Sequence, residues 1–155
     1  MKKRILIGVG VIVLLVGAFM GVKKVSPVGW GWWGEYNTSA GVALKGYDAV
    51  AYFNSDQPTQ GSGEYSHDWE GVTWRFSSSE NRDLFVGNPE AYAPQFGGFC
   101  SFAVSKGFTA DISPDAWHIA DEKLYVFADQ NVRDDWVAGL GEGSLEESTS
   151  NWVKR

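Results

Sequence analysis

The 155 residues leave room for one folded domain of roughly 100–130 residues beside an N-terminal segment, enough to bury a core without staples; eight Trp, nine Phe and six Tyr make the chain unusually aromatic. Formal net charge is −6, but five of the 13 basic residues (Lys2, Lys3, Arg4, Lys23 and Lys24) flank the apolar N-terminus, so from residue 25 onward eight basic residues face all 19 acidic ones. Such a domain repels phosphate backbones, which argues against nucleic acid as a partner, and its single cysteine excludes an internal disulfide.

Met1 to Arg4 precede an uncharged run from Ile5 to Val22 that ends at Lys23-Lys24. As a helix rising about 1.5 Å per residue it spans about 27 Å, near the thickness of a bilayer core. Residues 1–24 therefore read as a transmembrane anchor, its basic start holding the N-terminus in the bacterial cytoplasm and sending the domain to the periplasmic face of the inner membrane. The alternative is a signal peptide cleaved after Val16-Gly17-Ala18, releasing a secreted protein; the apolar continuation Phe19 to Val22 favours the uncleaved anchor. Gly17 and Gly21 carry the spacing of small-residue helix dimers.

Residues 25–45 read as a Gly/Trp-rich linker in which Trp30, Trp32 and Trp33 lie at headgroup depth as an aromatic belt. The folded domain spans 46–140. Ala49 to Phe53 reads as a short strand, and Gly63 to Trp69 with Val72 to Phe76 as a hairpin turning at Glu70-Gly71. Ser77 to Ser79 offer N-caps for a helix with Leu84 and Phe85 turned inward, ending near Gly87-Asn88. Pro89 starts a second short helical turn through Tyr92. A second hairpin, Ala116 to Ala120 with Leu124 to Ala128, turns at Asp121-Glu122, and Asn131 to Leu140 has helical spacing. The acidic stretch 141–155 reads as a mobile tail with Trp152 as its only anchor. The fold class is α+β: a small antiparallel sheet of hairpins with short helices, preceded by one transmembrane helix.

The chemistry centres on Cys100, which follows Gly97-Gly98 and sits between Phe99 and Phe102. The two glycines allow a tight bend, and the apolar run after them suggests a thiol presented into an aromatic wall. A metal site would draw on Cys100, His118 and His67, with Asp48 or Asp111 as oxygen donors, and would suit copper or zinc. No C-x-x-C or H-x-x-x-H spacing supports it. The plainer readings are a half-buried His118 on a strand, an exposed His67 in an outer hairpin and a structural Cys100. Tyr47 and Asp48 read either as part of a ligand site with Cys100 or as a hydrogen-bonding pair that fixes the first strand.

Asp48-Ala49-Val50, then Glu70-Gly-Val-Thr-Trp-Arg-Phe76, then Phe85-Val-Gly-Asn-Pro-Glu-Ala-Tyr92 together resemble the YHS-domain family. The chain is most similar to its longer exported branch, in which Gly46-Tyr47-Asp48 opens the domain, Gly97-Gly98-Phe99-Cys100 follows the core and Lys123-Leu124-Tyr125 closes it; the resemblance covers roughly residues 41–137. It implies a small α+β module often tied to copper or other soft metals. Metal-linked members carry cysteines at positions that fall here on Ala51, Ser77 and Asn81, none of which supplies a thiolate, the soft ligand such ions select.

The expectation is a membrane-anchored periplasmic YHS-like module, not an enzyme, that binds a metal or small ligand near Cys100 (Tyr47 and Asp48 beside it) and serves a membrane or redox system through an envelope protein partner. The alternative is an interaction or scaffold domain with no ligand. A thiol-dependent redox enzyme comes last, because the chain lacks a nucleophile elbow, a phosphate loop and a paired-carboxylate motif.

Overall fold

The computed structural model describes residues 16–21 and 23–153. Most of the apolar run from Ile5 to Val22 lies outside them; residues 16–21 are helical, and among the described residues no helix is long and apolar enough to cross a membrane. The rest is an α+β fold of small sheets and short helices.

Three short strands come from the stretch expected to be a linker: β1 (Ser26–Pro27), β2 (Thr38–Ser39) and β3 (Val42–Ala43). The hairpin β4 (Ser62–Trp69) and β5 (Val72–Phe76) follows, with its turn at Glu70-Gly71 as expected. Both turn residues have positive φ (52° and 73°), the geometry that matches strand twist in a two-residue hairpin. Val72, Trp74 and Phe76 are buried and alternate with the half-buried Thr73 and Arg75, so the period of two turns one face of β5 into the core. Strand β3 adds to β5 in parallel, giving the order β2-β3-β5-β4.

Asp48 decides the first departure from expectation. Its Oδ1 accepts the backbone N–H groups of Val50 (2.9 Å) and Ala51 (3.2 Å), a local bond that turns the chain out of extended geometry. Ala49 to Phe53 is therefore not a strand; Ala51–Asn54 forms the one-turn helix α1. Helix α2 (Ser79–Gly87) begins where expected, its N-cap Ser78 accepting from the Asn81 N–H. Only Phe85 turns inward; Leu84 is 45% exposed. Helix α3 (Pro89–Tyr92) follows with proline in its first turn.

The Cys100 stretch becomes a tight bend and the five-residue helix α4 (Ser101–Ser105), then β6 (Phe108–Thr109), which pairs with β1. The second hairpin, β7 (Ser113–Ala120) and β8 (Lys123–Phe127), turns at Asp121-Glu122 as expected. Leu124 to Phe127 are buried on both faces of β8. Helix α5 (Gln130–Ala138) covers it with Trp136, whose ring centroid lies 4.9 Å from that of Tyr125 and 5.3 Å from that of Phe127.

Two expected boundaries are corrected by packing. Residues 25–45 are built into the domain: Val28, Asn37, Ala43 and Leu44 are buried, and β1 to β3 pair with the sheets. The stretch 141–155 is not a mobile tail, because Ser144–Val153 forms helix α6 packed on α4. Leu145, Ser148 and Trp152 share its inner face. The buried Ser148 Oγ accepts the Trp136 indole N–H at 3.3 Å. Asn151 Nδ2 donates to the carbonyls of Val104 (3.0 Å) and Ser105 (2.9 Å), groups that the end of so short a helix leaves without an intrahelical partner.

Candidate functional site

Cys100 ends the bend and opens α4, and it is 1% exposed. Burial pushes its thiol above the ordinary range, outweighing the backbone N–H groups of Ala103, Ala128 and Phe102 that reach the sulfur; Asp129 adds a smaller upward push. No imidazole is among these influences. The thiolate is the reactive form of cysteine and the form that ligates metals, and this environment suppresses it. Ellman's reagent at about pH 7.5 is therefore expected to titrate essentially no thiol in the native protein and one thiol after denaturation; rapid native reaction would mean that the sulfur is accessible and activated.

The expected metal ligands are not brought together. Cys100 lies at the start of α4, His118 in β7 opposite Tyr125, and His67 in β4 opposite Trp74. Among the described residues no three His, Cys, Asp or Glu side chains form a group that could hold a metal ion. Partial burial and the nearby Arg133 lower the His118 pKa, which keeps its ring neutral near pH 7. Asp111 is held below its usual range: its own burial acts the other way, but hydrogen bonds from Lys45, Asn37 and the Ile112 backbone win.

Asp48 has gathered a different set of partners. It is fully buried, and besides the two N–H groups on Oδ1, its Oδ2 accepts from Ser77 N (2.8 Å), Ser77 Oγ (2.6 Å) and Asn81 Nδ2 (2.7 Å). Five donors on two oxygens satisfy the carboxylate. Ala51, Ser77 and Asn81, from two stretches far apart in sequence, thus converge on one side chain. The donor set does not fit a soft metal ion: it holds no thiolate, and both oxygens of the one carboxylate are already engaged. Here Asp48 ties α1 to the end of β5 and the start of α2. The Tyr47 backbone pairs with that of Gln60 in an isolated antiparallel bridge.

The glycine pair beside the cysteine has a task that the sequence did not reveal. Phe96 and Gly97 both take left-handed conformations (φ 54° and 59°), and a side chain at Gly97 would collide with the Glu35 carbonyl. The Gly97 carbonyl accepts Asn37 N–H at 2.7 Å, and Asn37 Nδ2 donates to the Gly98 carbonyl at 3.1 Å. The bend thus receives the 35–37 segment more than it presents a thiol.

That docking closes one side of a cleft of about 400 Å³. Tyr36 and Trp69 form one wall, with ring centroids 5.8 Å apart and Trp74 behind them at 5.8 Å from each. Phe96 and Trp152, 6.1 Å apart, form another. Glu35, Glu70, Glu90 and Lys123 stand around it. Burial raises the Tyr36 hydroxyl pKa, and the charges of Glu70, Glu35 and Glu90 push it further the same way. The lining comes from five separate stretches of chain (35–36, 69–70, 90–97, 123 and 152), so no spacing in the sequence announced the cleft. No family model matches the chain, and no curated protein or solved structure matches it either.

Proposed function

We propose that the protein is a membrane-tethered, non-catalytic binding module of the YHS type, and that it binds through the aromatic cleft and not through Cys100. The observation that carries this reading is the cleft itself. It has the volume of a small-molecule site, and the rings of Tyr36, Trp69, Phe96 and Trp152 line it together with the charged side chains of Glu35, Glu70, Glu90 and Lys123. Cys100, by contrast, is 1% exposed, its thiol is pushed up by burial, and among the described residues it belongs to no group of three His, Cys, Asp or Glu that could hold a metal ion.

The convergence of Ala51, Ser77 and Asn81 on Asp48 supports the YHS resemblance, with a hydrogen-bonded clamp standing where metal-linked members place thiolates. The apolar run before Lys23 supports the tether, with the domain on the periplasmic side and an envelope protein as partner. Trp30 and Trp32 are 57% and 59% exposed, with ring centroids 4.5 Å apart, as a belt at the lipid interface requires. Trp33 packs instead against the core.

A thermal-shift screen of a small-fragment library against the full chain in lipid nanodiscs tests the reading. Fragments that stabilise wild type are expected to stabilise Cys100→Ala equally, to be lost in Trp69→Ala and to be weakened in Trp152→Phe. Hits that vanish in Cys100→Ala and persist in the two tryptophan variants would return binding to the thiol.

A further inference from the structure

The cleft carries two kinds of group whose combination narrows what can enter it. The first is charge. Glu35, Glu70 and Glu90 stand around it against the single ammonium of Lys123, and all three carboxylates act on the Tyr36 hydroxyl at its wall. Such a field lowers the local concentration of anions and raises that of cations.

The second is surface type, which decides between kinds of cation. Magnesium or calcium needs oxygen donors converging at roughly 2.0–2.6 Å, and among the described residues no acidic side chains gather that way. Instead the carboxylates line the cleft side by side with the rings of Tyr36, Trp69, Phe96 and Trp152. A cation whose charge is spread over methyl groups needs no inner shell of oxygens. It sheds water readily, lies against ring faces and is drawn by their negative quadrupoles. The charge of the carboxylates then acts on it from a distance, weakened but not abolished by the partial exposure of the site.

We propose that the cleft binds an organic ammonium ion of the trimethylammonium class, seated against Trp69 and Tyr36 and balanced by Glu70 and Glu90. This rests on the cleft being the binding surface and adds the chemistry of its ligand. A soluble quaternary ammonium compound and a choline-bearing headgroup share that chemistry. The neighbouring carboxylates favour the former, because a headgroup brings its phosphate with it.

Calorimetry on the full chain in phosphatidylglycerol nanodiscs provides the test. The probes are choline, phosphocholine, magnesium chloride and the neutral carbon analogue of choline with a tert-butyl group in place of trimethylammonium. Choline is expected to bind about tenfold more tightly than the neutral analogue, and magnesium is not expected to compete with it. The double variant Glu70→Gln, Glu90→Gln is expected to weaken choline about tenfold and to leave the neutral analogue unchanged. Both side chains are exposed, so this variant keeps the fold, which its melting curve checks. Choline binding more tightly than phosphocholine identifies a soluble ligand, and the reverse order a headgroup; either order supports an ammonium site. Equal affinity for choline and its neutral analogue would overturn the proposal and leave the cleft standing as an apolar site. Failure of choline to bind while fragments still occupy the cleft would overturn it in the same way. If neither choline nor any fragment is lost on changing Trp69, the cleft reading falls as well.

Discussion

Asp48→Ala is expected to cost about 3–4 kcal/mol of stability and to lower the melting temperature by roughly 10–15 °C. Five hydrogen bonds end on this one carboxylate. Removing it leaves the N–H groups of Val50 and Ala51 without an acceptor in a buried site, where each orphaned donor costs about 1–3 kcal/mol. Asp48→Asn separates charge and hydrogen bonding from shape. Its amide oxygen can still receive Val50 and Ala51, but its NH₂ then points at the Ser77 N–H and the Asn81 amide, donor against donor. It is therefore expected to lose nearly as much stability as the alanine variant. Chemical denaturation of both variants checks this, and midpoints close to wild type would show that the carboxylate does not organise the junction of α1, β5 and α2.

Deleting residues 144–155 is expected to destabilise the domain by about 3–5 kcal/mol. The deletion removes the acceptor of the Trp136 indole N–H, the Asn151 amide that satisfies the end of α4, and the Trp152 ring that packs on Phe96 and Phe99. It also removes one wall of the cleft, so cleft ligands should be lost together with stability. A truncated chain that melts at the wild-type temperature would restore the view of this segment as a mobile tail.

The parts of the fold legible in the sequence are those set by neighbours. Glu70-Gly71 between two β-prone runs makes a hairpin because its turn needs two positive-φ residues and its strands need alternation. Ser78 caps α2 because the free N–H groups of a helix start require an acceptor. The elements misread are those decided by distant partners or by a single side chain. Ala49 to Phe53 has the composition of a strand, but Asp48 captures the N–H groups of Val50 and Ala51 and bends it into a helix. Residues 144–153 look acidic and solvated because Ser148, central to the buried face, is a polar residue whose role emerges only when Trp136 lies beside it. The same holds for the site. Cys100 stands out in the sequence as the lone thiol, yet its glycine neighbours serve the 35–37 segment, and the cleft they help to close draws on residues from Glu35 to Trp152. Within it only short runs such as Glu35-Tyr36 and Trp69-Glu70 are neighbours in sequence.

Fluorine NMR of the full chain labelled with fluorotryptophan, followed through a choline titration, asks most directly where recognition occurs. The resonances of Trp69 and Trp152 should move in a saturable way, while Trp136, sealed behind β8, stays fixed. A titration in which neither cleft tryptophan responds, or in which only Trp30 and Trp32 do, would contradict recognition through the cleft.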